Sequence, residues 1–308
     1  MRDSSRIYVA GHRGLVGSAL VRRLKADGYS NLLLRTRAEL DLTRAADVEA
    51  FFLQERPEYV FLAAARVGGI RANAARPAEF LRENLQIQTS VIHAAFLSGV
   101  RRLLFFGSAC IYPRDCPQPM KEDYLFTGPV EPTSEGYAAA KIAGLALCNA
   151  YNRQHGTQFL TLIPATLYGP HDNFDLETGH VLSALLRRFH EARRSPSVTV
   201  WGSGRPVREF LYVDDLADAC LFAMNLPDPL PAGPFNVGTG EGVSIGDLAR
   251  TIQSIVGFGG AIRFDPAQPD GAPAKVLDVS RARGLGWAAR TPLHEGIRRT
   301  YEWYLSQN

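Results

Sequence analysis

Ile7-Tyr-Val-Ala-Gly-His-Arg-Gly-Leu-Val-Gly17 decides how the chain is read. Ile7 to Ala10 is an unbroken apolar run, the pattern of a strand buried on both faces. Gly11, Gly14 and Gly17 follow at once. From Leu15 the apolar residues recur at helical spacing through Val16, Ala19, Leu20 and Leu24, and Gly28 closes the helix. Strand, glycine-rich turn and helix in direct succession form a phosphate-binding turn. Its glycines permit a tight turn, let backbone approach a pyrophosphate, and let the helix pack close to the strand. The helix N-terminus offers unpaired N–H groups and partial positive charge to phosphate. Gly11, His12, Arg13, Gly14, Leu15, Val16 and Gly17 are therefore expected to hold a dinucleotide. A glycine turn without a ligand is the plainer alternative.

The same rhythm continues downstream. Leu32–Leu34, Tyr59–Ala64, Leu103–Phe106 and Phe159–Ile163 read as further strands. Thr43 is expected to cap a helix carrying Val48, Phe51 and Phe52, with Pro57 after its end. Pro77 opens a long helix with Leu81, Leu85, Ile92 and Phe96 inward, and 137–153 forms another. Alternating strands and helices imply an α/β fold: a Rossmann-like, doubly wound parallel sheet with both faces covered. After Pro164 the rhythm loosens. Trp201–Asp215 and Phe264–Lys275 read as loops, and Asp214-Asp215 as caps of a helix starting at Leu216. The expected division is a dinucleotide-binding domain over 1–167, with a returning segment near 205–245, and a smaller, mainly substrate-binding region over 168–308.

Composition narrows the class. The 308 residues are 46% hydrophobic and 21% charged, with formal net charge +3. That excludes disorder and permits a sizeable core. Basic residues form no dense block interleaved with aromatics, which argues against a nucleic-acid binder. No apolar run nears the ~20 residues of a membrane span. No signal-peptide pattern opens the chain. Cys110, Cys116, Cys148 and Cys220 are too scattered for a disulfide scaffold or a zinc site, so no metal is expected. A soluble protein of a reducing compartment, the cytoplasm, is expected.

The end of the second strand selects the cofactor. An acidic residue there would bind the ribose 2′-OH of NAD. The chain has Arg35-Thr36-Arg37 instead, with Arg13 inside the turn. Guanidinium groups suit a 2′-phosphate, so NADP(H) is expected, with Arg37 among its ligands. A solvated arginine cluster is the alternative. Tyr137 and Lys141 lie four apart in a helical pattern and share a face. An ammonium beside a phenol is expected to lower its pKa and ready it to protonate a carbonyl oxygen. Lysine is rare here: Lys25, Lys121, Lys141 and Lys275 are the only ones. Ser108, just after the fourth strand, is placed to hydrogen-bond the same carbonyl.

These features, with Leu62-Ala-Ala-Ala65, Val67-Gly-Gly-Ile70, Ser108-Ala-Cys-Ile-Tyr-Pro113, Tyr168-Gly-Pro-His-Asp-Asn-Phe174, Leu185-Leu-Arg-Arg-Phe-His190, Trp201-Gly-Ser-Gly204 and Arg208-Glu-Phe-Leu211, resemble the GDP-L-fucose synthase family of the extended short-chain dehydrogenase/reductase superfamily. The resemblance covers essentially the whole chain. It implies 3,5-epimerisation of GDP-4-keto-6-deoxy-D-mannose followed by NADPH-dependent reduction of the 4-ketone. It implies Cys110 as base and His180 as acid, with Ser108 and Tyr137 on the enolate oxygen and Tyr137 with Lys141 at the reduction. A thiol in a cationic or polar setting, with lowered pKa, suits the base, and a histidine near its ordinary pKa suits the acid.

The resemblance further implies Lys141, Pro164, Leu167 and His180 at the cofactor. It puts Arg187, Trp201, Arg208, Asp270 and Lys275 at the GDP-sugar. By analogy, the helices at 77–98 and 137–153 would form a homodimer. Ala109, Gly136 and Thr166 depart from the Ser, Pro and Asn expected of relatives. They leave room for another GDP-4-keto sugar, a 3,6-dideoxy sugar or a heptose. A non-catalytic NADP-binding regulator is a further alternative, though it need not keep Ser108, Cys110, Tyr137, Lys141 and His180 together. The plainer readings are a core Cys110, a solvated Arg187-Arg188 face and a core Trp201.

Overall fold

In a computed structural model, which describes residues 1–268 and 270–307, the opening apolar run is strand β1 (Ile7–Ala10), with all four residues buried. It is followed by α1 (Leu15–Ala26), β2 (Leu32–Leu33), α2 (Ala45–Glu55), β3 (Tyr59–Leu62), α3 (Ile70–Ala75), α4 (Pro77–Leu97), β4 (Arg102–Phe106), α5 (Glu135–His155) and β5 (Phe159–Pro164). The second half holds β6 (Thr166–Tyr168), α6 (Val181–Glu191), β7 (Ser197–Trp201), β8 (Val207–Tyr212), α7 (Val213–Met224), β9 (Phe235–Val237) and β10 (Gly242–Ser244). It ends with α8 (Ile245–Val256), β11 (Ala261–Asp265), β12 (Ala274–Lys275), α9 (Ser280–Leu285) and α10 (Leu293–Gln307).

Six strands form one sheet in the order β2-β1-β3-β4-β5-β9. Every pairing in it is parallel. Alternation of side chains along β1 explains the two layers. Ile7 and Val9 join a core with Leu20 and Leu24 of α1 and Leu216 of α7. Tyr8 and Ala10 join another with Phe52 of α2 and Val91 and Ile92 of α4. A third core, from Leu186 and Phe189 of α6, Ile252 of α8 and Ile297 of α10, supports the second half. There β8 pairs with β10, β12 and β6, and β7 pairs with β11. No helix of the described residues is long and apolar enough to cross a membrane. All four cysteines are free.

Several expectations are corrected. Thr43 caps nothing: its hydroxyl bonds Asp41 at 2.8 Å, and α2 begins after Arg44. The buried stripe of α4 is Phe80, Asn84, Gln88, Val91, Ile92 and Ala95, so of the four residues expected inward only Ile92 is buried. Hydrophobic periodicity passes over Asn84 and Gln88, yet Asn84 Nδ2 donates to Phe80 O at 2.8 Å and Gln88 Nε2 to Ala140 O at 2.5 Å. Residues 201–215 are not a loop but hold β8 and the start of α7. Likewise β11 ends and β12 lies within 264–275. These short strands exist through their partners rather than their own pattern. Asp214 and Asp215 lie inside the first turn of α7, after Tyr212 as N-cap. Asp214 pairs with Arg22 at 2.6 Å, and Asp215 accepts from the Thr291 N–H at 2.8 Å.

Candidate active site

The glycine turn, Ser108 and Pro164 all lie at the carboxyl ends of sheet strands, where open α/β sheets bind ligands. Gly11 has φ +81, and a Cβ on it would lie 2.7 Å from Ala64 N. A Cβ on Gly17 would fall on the Gly11 carbonyl. At Gly11 and Gly17 the turn is therefore packed against the segment after β3 and against itself, with no room for a side chain at either. No side chain caps the start of α1 at Gly14, and His12 Nδ1 is buried with no partner. Those are the donors and the fit a dinucleotide needs. Burial and the neighbouring Arg13 push the His12 pKa down. Leu15 and Val16 are half-buried beside the turn.

The arginines divide. Arg35 is bound to Glu55 at 2.7 Å and lies over the Phe51 ring, so it serves the fold. Arg13 is exposed, and Arg37 keeps only a 3.9 Å pair with Asp41 while its side chain is 73% exposed. The residues present thus fit a cofactor with a 2′-phosphate.

A short 3-10 turn, Ala109–Ile111, follows β4 and brings Cys110 back onto Ser108. The Cys110 thiol donates to Ser108 Oγ at 3.2 Å. The start of α5 supplies Tyr137 and Lys141. Lys141 is 4% exposed, with Nζ 4.8 Å from the Phe105 ring centre and 5.7 Å from that of Tyr137. Burial depresses its ammonium to about 8, against the thiol of Cys110. Burial, and then the thiol of Cys110, push the Tyr137 phenol up, while Ser108 pulls it down. The expected lowering of this phenol by Lys141 is therefore not what the free protein holds: the phenol is raised and neutral. Cys110 is likewise raised, because burial outweighs Ser108, Lys275 and Lys141, which all act to lower it. The expected depressed thiol is not what the free site holds.

Gly136, in place of the expected Pro, is explained by a close approach: a Cβ there would lie 2.6 Å from Pro77 O. Pro164 closes β5 opposite Val237, and Leu167 is half-buried in β6 next to Leu211.

His180 stands at the N-cap of α6. Its loop meets the glycine segment after β3, where Gly69 N–H donates to Thr178 O at 3.0 Å. Asp172 lies 3.7 Å from His180 Nδ1 and raises its pKa.

The expected substrate residues do not all behave alike. Arg208 of β8 and Lys275 of β12 are register partners. Burial lowers the pKa of each, with Asp270 acting to raise the first and Cys110 the second. They link the second region to the thiol. Asp270 accepts from the Ser203 N–H at 2.6 Å and its hydroxyl at 2.7 Å, so it pins the loop after Trp201. Trp201 is 39% exposed and covered by Arg188, 5.0 Å from its ring centre. Arg187 is held by Glu191 at 2.7 Å on the α6 surface. Asp172, Arg188 and Glu209 carry no spacing or motif of their own that points to a site. The His-Asp-Asn-Phe string holds Asp172 in plain view, but only the fold sets it against His180. Among the described residues no cluster could hold a metal ion.

The profile of the NAD dependent epimerase/dehydratase family matches residues 7–238. GDP-L-fucose synthase 1 of Arabidopsis thaliana is 54% identical over 98% of this chain and 94% of that protein. GDP-L-fucose synthase of Escherichia coli is 49% identical over 98% and 97%. Among solved structures, a GDP-6-OMe-4-keto-L-xylo-heptose reductase from C. jejuni superposes with TM-score 0.95 at 40% identity, covering 100% and 99% of the two chains. A GDP-L-fucose synthetase from Naegleria fowleri bound to NADP superposes with TM-score 0.92 at 29% identity, covering 100% and 94%. With a matching profile over most of its length and these relatives, the chain belongs to the NAD dependent epimerase/dehydratase family.

Proposed function

We propose that the chain is an NADPH-dependent GDP-L-fucose synthase, converting GDP-4-keto-6-deoxy-D-mannose by 3,5-epimerisation and 4-keto reduction. The observation that carries this is the gathering of Ser108, Cys110, Tyr137 and Lys141 at one end of the sheet. A plain reductase needs no thiol there. The relatives at 54% and 49% identity support the sugar.

The steps follow from the side chains. Cys110, once deprotonated, takes a proton from a carbon beside the ketone. The enolate oxygen is met by the hydroxyls of Ser108 and Tyr137. His180 returns a proton to the opposite face. After both carbons are inverted, Tyr137 gives its proton to the carbonyl oxygen. Bound NADPH supplies the reducing equivalents for that carbon. Gly11 to Gly17, Arg37, Lys141, Pro164, Leu167 and His180 would hold it. Arg208, Lys275, Asp270, Trp201 and Arg187 would hold the GDP-sugar, Arg208 as the half-buried cation for diphosphate.

In this reading residues 1–167, with the returning segment near 205–245, bind the dinucleotide. Pairing of β9 with β5 supports it. The remainder of 168–308 is mainly for substrate. The protein works in the cytoplasm as a homodimer through α4 and α5; on α4 the half-buried Leu81, Leu85 and Phe96 and the 49% exposed Leu97 supply apolar surface. Light scattering on the eluted protein would show twice the chain mass.

The deciding experiment is NADPH consumption with GDP-4-keto-6-deoxy-D-mannose, the product identified by NMR. GDP-L-fucose is expected. No turnover despite NADPH binding would move the assignment to another GDP-keto-sugar, such as the heptoses named for the C. jejuni structures.

A further inference from the structure

The side chain of Asp172 is only 3% exposed. One of its oxygens, Oδ2, accepts from the Ser183 hydroxyl in the first turn of α6. The other, Oδ1, accepts from the Asn173 N–H at 2.8 Å and faces His180 Nδ1 at 3.7 Å. That nitrogen is sealed from solvent and has no hydrogen-bond partner. A bare lone pair there would face a carboxylate oxygen, so the proton belongs on Nδ1. Nε2 is left as the nitrogen that exchanges protons.

We propose that Asp172 is a positioning residue for the epimerisation: it orients the His180 ring and holds it as an imidazolium, ready to protonate the substrate carbon. This rests on the reading of His180 as the acid. An orienting carboxylate behind a catalytic imidazole fixes tautomer and direction together. The 3.7 Å separation exceeds a hydrogen bond, but such bonds are often long in free enzymes and tighten with substrate.

The surroundings single out this carboxylate. Asp175 is occupied by the Thr178 N–H and hydroxyl, each at 2.8 Å. Arg187, two turns into α6, is held by Glu191. Gly69, whose backbone N–H meets this loop at Thr178 O, brings no charge. Asp172 is the one residue in ion-pair range of His180 among the described residues. The loop between them is closely packed on itself. A Cβ on Gly179 would lie 2.5 Å from both Asn173 O and Asp175 O.

The test compares the parent with Asp172→Asn and Ser183→Ala. Two quantities are measured: the His180 ring titration by NMR in the free protein, and solvent-deuterium incorporation into GDP-4-keto-6-deoxy-D-mannose across pH. In Asp172→Asn the titration should move to lower pH. The parent-to-variant ratio of exchange rates should grow about tenfold from the acidic to the alkaline end. In acid the ring is protonated in both proteins, and above the titration the protonated fraction follows the pKa. A merely structural loss would lower the rate by one factor at every pH. Ser183→Ala should show a smaller change of the same sign. An unmoved titration or a pH-independent ratio overturns the proposal. If the parent itself exchanges no deuterium while the titration moves, the assigned reaction is overturned and the Asp172–His180 pair is confirmed.

Discussion

Lys141 shows how much one buried group can ask of a fold. It is 4% exposed, and its ammonium is depressed from 10.5 to about 8. The folded chain therefore holds this proton more weakly than the unfolded one. Its burial costs stability at pH below about 8, and the cost is relieved as pH rises toward 10.5. Lys141→Met should melt at an equal or higher temperature below pH 8, because a buried charge gives way to an apolar side chain. It should also lose turnover. A large fall in melting temperature would contradict this account. Tyr137→Phe should reduce ketone reduction about 100-fold or more while NADPH binding persists, since only the transferable proton is removed. Cys110→Ser should suppress solvent-deuterium exchange, and exchange at the parent rate would remove Cys110 as base. With the thiol raised, exchange should rise with pH on the acid side, where His180 keeps its proton, and level off once His180 loses it.

At the scale of elements, β1, the glycine turn and α1 act as one unit. Gly17→Ala places a methyl on the Gly11 carbonyl, where backbone must shift. NADPH affinity measured by calorimetry should drop at least about tenfold with the fold retained, and an unchanged affinity would exclude the turn as the cofactor cradle. The 172–180 loop is the counterpart at α6. It is tied to itself by Asp175 and to Gly69 from the other region. It was legible only as a string of letters, because neither the Asp172–His180 approach nor the Gly69 contact follows a helical or strand period. The opposite holds for α5, where Tyr137 and Lys141 share a face by spacing alone.

At the scale of the molecule, Glu209 joins segments far apart in the chain. It is 1% exposed and accepts from the Leu277 N–H at 2.6 Å and the Gly240 N–H at 2.8 Å. It thus ties β8 to the segment after β9 and to the end of β12, the strand that brings Lys275 toward Cys110. Glu209→Ala would orphan two buried donors and should cost about 3 kcal/mol in urea unfolding. It should also raise the KM for the sugar nucleotide. A shift under about 0.5 kcal/mol would deny it the joining role.

What the chain by itself determined is local. The β1–turn–α1 unit, the alternation that makes a parallel sheet, the Tyr137–Lys141 face and the placement of Ser108 after β4 all follow from spacing within a few residues. Tertiary structure alone decided the rest. It set Lys275 beside Cys110, Arg188 over Trp201, Asp172 against His180 and Arg35 onto Glu55. It also decided the charge states: burial, which no local pattern encodes, raised Tyr137 against Ser108, and raised Cys110 against Ser108, Lys275 and Lys141. Periodicity reports which face of an element is apolar. Distances between elements, and the water they exclude, exist only once the elements have packed.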